Sequence, residues 1–176
     1  MADPPNPARV SLSSVVGWSE FALLEPELAA AGRGLLYQYG VGLGFLATVR
    51  RDGAPRVHPV CPIISDDGLF VFVVPSPKLG DLRRDGRFAL HSFAAEDNED
   101  AFSVAGVAHA CSEDTVRRRV LEHFAGERGE LPAGVDSQEL FEFTFDRVLL
   151  TRTTGHGDPS PEHTVWRESS TPDSAT

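Results

Sequence analysis

Phe45-Leu46-Ala47-Thr48-Val49-Arg50, then Asp52-Gly53, then Pro55-Arg56-Val57-His58-Pro59-Val60 read as two β-strands joined by a tight turn. Asp-Gly between two β-prone runs is a strong hairpin signal. The second strand is expected to run from Pro55 to Ile64. Ser65-Asp66-Asp67-Gly68 is a further turn, and Leu69 to Val74 is a nearly all-apolar third strand. Three strands with two tight turns make an antiparallel meander.

Outward from this meander, strands dominate. Ser76-Pro77-Lys78 opens a short helix with Leu79 and Leu82 on one face, ending near Asp85-Gly86, where glycine suits a C-cap. Arg87 to Phe93 returns to strand, 94–100 is an acidic loop, and Ala101 to Cys111 alternates with Phe102, Val104, Gly106 and Ala108 on one face. Ser112-Glu113-Asp114 caps a helix to about Gly126. The last long strand, Leu140 to Thr153, carries Phe141, Phe143 and Phe145 on one face. Toward the N-terminus, Ser19 resembles a helix N-cap before Phe21, Leu24 and Leu28. Pro26 interrupts that spacing, giving either two short helices or one starting at Pro26. In the polar C-terminal part, Val165-Trp166 can dock as an edge strand.

Six strands, or seven with that edge, cluster without a helix between each pair. This excludes a parallel doubly wound sheet. The expected class is mainly β (α+β), a six- to seven-stranded antiparallel barrel with short peripheral helices. Residues 1–14 are expected to be a flexible segment, 15–155 the barrel domain and 156–176 a polar tail.

The 176 residues suit one domain able to bury a core without disulfide or metal. No apolar run reaches membrane-spanning length, and no secretory signal pattern opens the chain, so a cytoplasmic location is the default expectation. A net charge of −10 disfavours nucleic acid. The run Arg117-Arg118-Arg119 reads as a solvated helix face rather than a footprint. Cys61 and Cys111 fit no metal spacing and read as free thiols. His91, His109, His123, His156 and His163 form no metal motif, and no metal is expected. No nucleophile elbow is present, and the glycines at 40, 42 and 44 precede a strand, which rules out a dinucleotide fingerprint.

Two segments point to chemistry. Ser76-Pro77-Lys78 places a favoured N-cap and a favoured first helical residue before a cation, and Lys78 is the only lysine in the chain. Such a helix start presents amide N–H groups to an anion. In the second segment, Arg56, His58 and Val60 share one strand face, while Val57, Pro59 and Cys61 share the other. An arginine and a histidine there are either solvated or meet an anion, and a guanidinium grips two oxygens at once. The two prolines point to an edge or a bulge.

These residues, with Asp81-Leu82-Arg83-Arg84-Asp85-Gly86-Arg87-Phe88-Ala89-Leu90 and the strand Phe102–Ala108, resemble the pyridoxamine 5′-phosphate oxidase-like proteins of the FMN-binding split-barrel superfamily. The resemblance covers about residues 41–112 well and 140–150 more loosely. It implies a flavin-dependent oxidoreductase holding FMN at a homodimer interface and acting on a small molecule. By the same resemblance Arg56, Ser76 and Lys78 hold the FMN phosphate. Val57, His58, Pro59 and Val60 run beside the isoalloxazine ring, with Val73 and Val74 close by. Some relatives use a deazaflavin coenzyme instead, which suits the Arg-, Ala-, Gly- and Pro-rich composition. Cys61 stands where true oxidases carry a basic residue. The late arginines are only Arg147, Arg152 and Arg167, so pyridoxamine phosphate itself is not the expected substrate. A non-catalytic flavin- or heme-binding protein is the competing expectation. Apolar strand faces such as Leu69–Val74 would need a partner to cover them, which also favours a homodimer.

Overall fold

The computed structural model describes residues 15–131 and 133–168. The expected flexible segment 1–14 and residues 169–176 of the tail lie outside the described residues. Two short helices come first, α1 (Trp18–Leu24) and α2 (Pro26–Leu36). Pro26 sits at the first position of α2, where a missing N–H costs nothing, and this divides the periodic stretch in two. Gly17, rather than Ser19, occupies the N-cap of α1; the Ser19 hydroxyl donates to the Asp66 carbonyl at 2.7 Å instead.

Strands β1 (Gly44–Val49) and β2 (Pro55–Val60) form the first hairpin, with Thr48 opposite Arg56 and Leu46 opposite His58. Gly53 turns it with φ of 83°, a left-handed conformation that favours glycine. The expected single strand to Ile64 breaks at Cys61-Pro62, because proline cannot donate to a ladder. β3 (Ile63–Ser65) then pairs with β4 (Gly68–Val73). Helix α3 (Pro77–Arg84), β5 (Arg87–Ser92), β6 (Ala101–Ala110), α4 (Asp114–Arg128), a short 3-10 turn (Val135–Ser137), β7 (Glu139–Arg152) and β8 (Glu162–Arg167) follow among the described residues.

All eight strands among the described residues belong to one antiparallel sheet in the order β2-β1-β5-β6-β7-β4-β3, with β8 added to β7. β2 and β3 are consecutive in sequence yet end on opposite edges of this curled sheet, so the barrel is split between them. β6 and β7 shift register at Ala105/Gly106, a bulge that adds bend to a long ladder. Val165 and Trp166 lie in β8, opposite Leu149 and Val148.

The core fills the curl. Phe21, Phe143 and Phe145 are fully buried, and Trp18, Phe21, Phe145 and Trp166 meet edge to face. A smaller cluster of Ile63, Phe70, Val120, Phe124 and Leu140 packs α4 on the other surface of the sheet. One expectation is corrected here. Leu69, Phe70, Val71 and Val73 are buried to 1% exposure or less within their own chain, so these four need no partner subunit to cover them, whereas Val74 is 44% exposed. The reason is that β4 has α1 and β7 on one side and α4 on the other, a sandwiching that a lone strand pattern cannot reveal.

Candidate functional site: a cleft between strand β2 and helix α3

β2 is an edge strand carrying Pro55 and Pro59, as its prolines require. Its exposure alternates: Val57 (59% exposed) and Pro59 face out, while Arg56 and His58 are half-buried and Val60 is buried. Helix α3 lies over this inner row, anchored by buried Leu79 and Leu82.

Between them sits one buried carboxylate. Asp81 accepts from Arg56 Nε at 2.7 Å and Thr48 Oγ1 at 3.1 Å through one oxygen, and from Arg84 Nη1 at 3.3 Å through the other. Burial alone would raise its pKa; the hydrogen bonds from Arg56, Thr48 and Arg84 outweigh that and hold it below the usual carboxylate value. Arg84 also donates to the Val49 carbonyl. Thr48 and Arg56 face each other across the hairpin, so three segments meet at a single anionic point.

A groove of about 460 Å³ opens beside this point, lined by Arg50, Arg51, Arg56, Arg84, Asp52, Asp81, Pro77 and Gly80. Four guanidinium groups face two carboxylates, so the groove favours anions. Arg50 pairs with Asp52 at 3.1 Å. Arg56 uses only Nε, and its two Nη groups make no hydrogen bond among the described residues.

Lys78 lines a different cavity, of about 260 Å³, with Pro59, Val60, Cys61, Phe72, Val74, Phe124 and Gln138. Its ammonium has no ion pair among the described residues. Pro77 lines the first cavity and Lys78 the second, so the two flank the first turn of α3. Arg56 and Val60 mark the two ends along β2, about 13 Å apart at the usual strand rise.

The expected site residues therefore separate as follows. Arg56 faces the basic groove; Pro59, Val60, Val74 and Lys78 line the apolar cavity. His58 lies on the inner row between them, and Val57 points outward. The Val73 side chain is fully buried in the core, which leaves only its main chain for a ligand. Ser76 occupies the N-cap position, but its hydroxyl donates to the Val74 carbonyl at 2.8 Å rather than capping the helix. Arg50, Arg51, Asp81 and Arg84 were not singled out from sequence. Arg50-Arg51 beside the Asp52-Gly53 turn was a usable signal, since a hairpin returns such a pair to the level of Arg56.

Other groups are engaged elsewhere. Arg117 packs over Phe72 and donates to the Val135 and Gln138 carbonyls, and Arg119 pairs with Asp67. Thus Arg117 is half-buried and packs against the fold, while Arg118 and Arg119 stay exposed on the helix surface. His91 is exposed, with Nδ1 2.6 Å from the Ser92 carbonyl. Cys61 is exposed and Cys111 half-buried, both as free thiols. No helix among the described residues is long and apolar enough to cross a membrane.

No family model and no curated protein matches the sequence. Solved structures do match. A heme-binding protein from Mycobacterium smegmatis aligns at TM-score 0.55 and 19% identity, over 77% of this chain and 57% of that one. HutZ, the heme storage protein from Vibrio cholerae, aligns at TM-score 0.55 and 18% identity, over 82% and 94%. A Clostridium acetobutylicum protein of the pyridoxinephosphate oxidase family aligns at TM-score 0.55 and 12% identity, over 85% and 95%. The chain thus spans just over half the length of the M. smegmatis protein and nearly all of the other two. The curled antiparallel sheet with its short helices is the split-barrel fold shared by the pyridoxamine 5′-phosphate oxidase-like proteins and their heme-binding structural neighbours.

Proposed function

We propose that the chain binds a phosphorylated, ring-bearing redox coenzyme along β2 and acts as a flavin-dependent oxidoreductase on a small molecule. FMN is the first choice and a deazaflavin coenzyme the alternative. One observation supports this reading: Arg56 and Pro77 line a basic groove, while Lys78, the next residue of α3, lines a separate apolar cavity with Pro59, Val60 and Val74.

The residues fit such a ligand. Arg56 Nη1 and Nη2 offer a fork to a phosphate, with Arg51 and Arg84 adding positive potential. Pro59, Val60 and Val74 offer apolar surface for a ring, and Lys78 offers a cation at its margin. When bound, the coenzyme supplies hydride or electron transfer, and the chain supplies binding, orientation and exclusion of water. No side chain is required as a general acid or base for hydride transfer. Ser76 contributes a main-chain position rather than a hydroxyl.

The reading includes a cytoplasmic homodimer. Support for a second copy comes from the outward row of the β1–β2 edge, where Phe45, Val57 and Pro59 are exposed. Light scattering after gel filtration checks it; a monomer at micromolar concentration contradicts it.

A second reading, a non-catalytic heme carrier, is favoured by two structural neighbours described as heme-binding and heme storage proteins. The basic groove would receive carboxylates as readily as phosphate. Adding FMN, a deazaflavin coenzyme and heme separately to the purified protein distinguishes the readings through their visible spectra. Saturable flavin or deazaflavin binding, followed by oxidation of NADH or NADPH, supports the oxidoreductase. Heme binding alone supports the carrier, and binding of none of the three overturns both.

A further inference from the structure

Asp81 is an unusual neighbour for an anion site. Its carboxylate is about 4% exposed, borders the basic groove and repels any anion placed there. Helix docking alone would be served by Leu79 and Leu82, which are already buried. What Asp81 adds is geometric. It takes the Nε of Arg56 at 2.7 Å and the Nη1 of Arg84 at 3.3 Å, while Thr48 Oγ1 at 3.1 Å steadies the shared oxygen. An arginine held at Nε keeps its planar end free, and that end is the face that grips two oxygens.

We propose that Asp81 is a positioning residue of the anion site, fixing Arg56 so that its Nη pair meets a ligand's phosphate in one geometry. This rests on the phosphate reading of the groove. Without Asp81, Arg56 is a long chain with many rotamers, and ordering it would weaken binding. Coulomb's law alone gives the opposite sign, because removing a negative charge beside a bound phosphate should tighten it.

The opposed signs make the test. FMN and inorganic phosphate are titrated calorimetrically into the wild-type chain, Asp81→Asn, Arg56→Ala and the double variant. Asp81→Asn is expected to weaken both ligands on the order of tenfold, despite the loss of a negative charge beside them. The double variant is expected to bind no more weakly than Arg56→Ala alone, since Asp81 acts through Arg56. A purely structural role would change melting temperature without this coupling. Equal or tighter binding by Asp81→Asn, or multiplying effects in the double variant, overturns the proposal and leaves the anion site standing. Failure of the wild-type chain to bind either ligand overturns both. Should Asp81→Asn not fold, Thr48→Val removes one bond to the carboxylate without changing charge. A loss of a few-fold in FMN affinity supports the proposal, and unchanged affinity refutes it.

Discussion

The two flanks of this sheet are built differently. Along β6, β7 and β8, with α1 laid across them, nearly every inward side chain is apolar and contacts are rings against rings: Trp18, Phe21, Phe102, Phe145, Trp166. Along β2 and α3, the inward row is Arg56 and His58, with Thr48 of β1 beside them beneath Asp81, and the ladder stops at an edge. The first region is where close packing is expected to hold the fold. The second leaves guanidinium donors and a lone lysine facing cavities, which packing does not explain. Stability and ligand binding should therefore separate under mutation.

The largest stability effect is expected on the aromatic flank. Phe145→Ala removes a fully buried ring and should cost about 3–5 kcal/mol, read as a lower denaturation midpoint. Its FMN affinity, measured where the variant is still folded, should match wild type. A comparable loss of affinity would break the separation between the two flanks.

Arg56→Ala should show the reverse pattern. Charge-assisted hydrogen bonds to a phosphate are worth about 1.5–3 kcal/mol, so FMN affinity should fall roughly 10- to 100-fold. Denaturation should report a smaller loss than for Phe145→Ala, because Thr48 and Arg84 still bond Asp81. Acid sharpens the same contrast. Asp67, Asp81 and Asp100 all have pKa values lowered from 3.8, held down by arginine partners. Lowered folded values mean that this stability is present above pH 3.8 and is lost as pH falls through them. Asp81→Asn should flatten part of that acid limb in a pH series of denaturation midpoints, whereas Phe145→Ala should shift the whole curve downward.

The smallest effect is expected at Lys78. Its ammonium borders the apolar cavity without an ion pair among the described residues, so Lys78→Ala should weaken FMN only a few-fold and leave the melting temperature unchanged. A loss matching that of Arg56→Ala would mean that the phosphate lies on the Lys78 side of α3.

Much of the fold was legible because its signals are local. Asp52-Gly53 gives the turn, Phe141, Phe143 and Phe145 give the buried face of β7, and Pro26 divides the N-terminal helices. The break at Cys61-Pro62 was hidden inside an apolar run that alternation alone reads as continuous. The cover over β4 was also invisible, since it depends on α4 packing from behind. At the site, Arg56 and Lys78 stood out as charges in unusual places. Asp81 did not, because one acid on a short polar helix reads as solvated until α3 docks over Thr48 and Arg56. Its partners lie 33 and 25 residues away, a separation that only the tertiary fold closes.

A crystal structure of the protein soaked with FMN tests the central claim most directly. The account predicts phosphate oxygens within hydrogen-bonding distance of Arg56 Nη1 and Nη2, with the ring against Pro59, Val60 and Val74. FMN bound with its phosphate elsewhere, or a cleft that stays empty at saturating FMN, would contradict it.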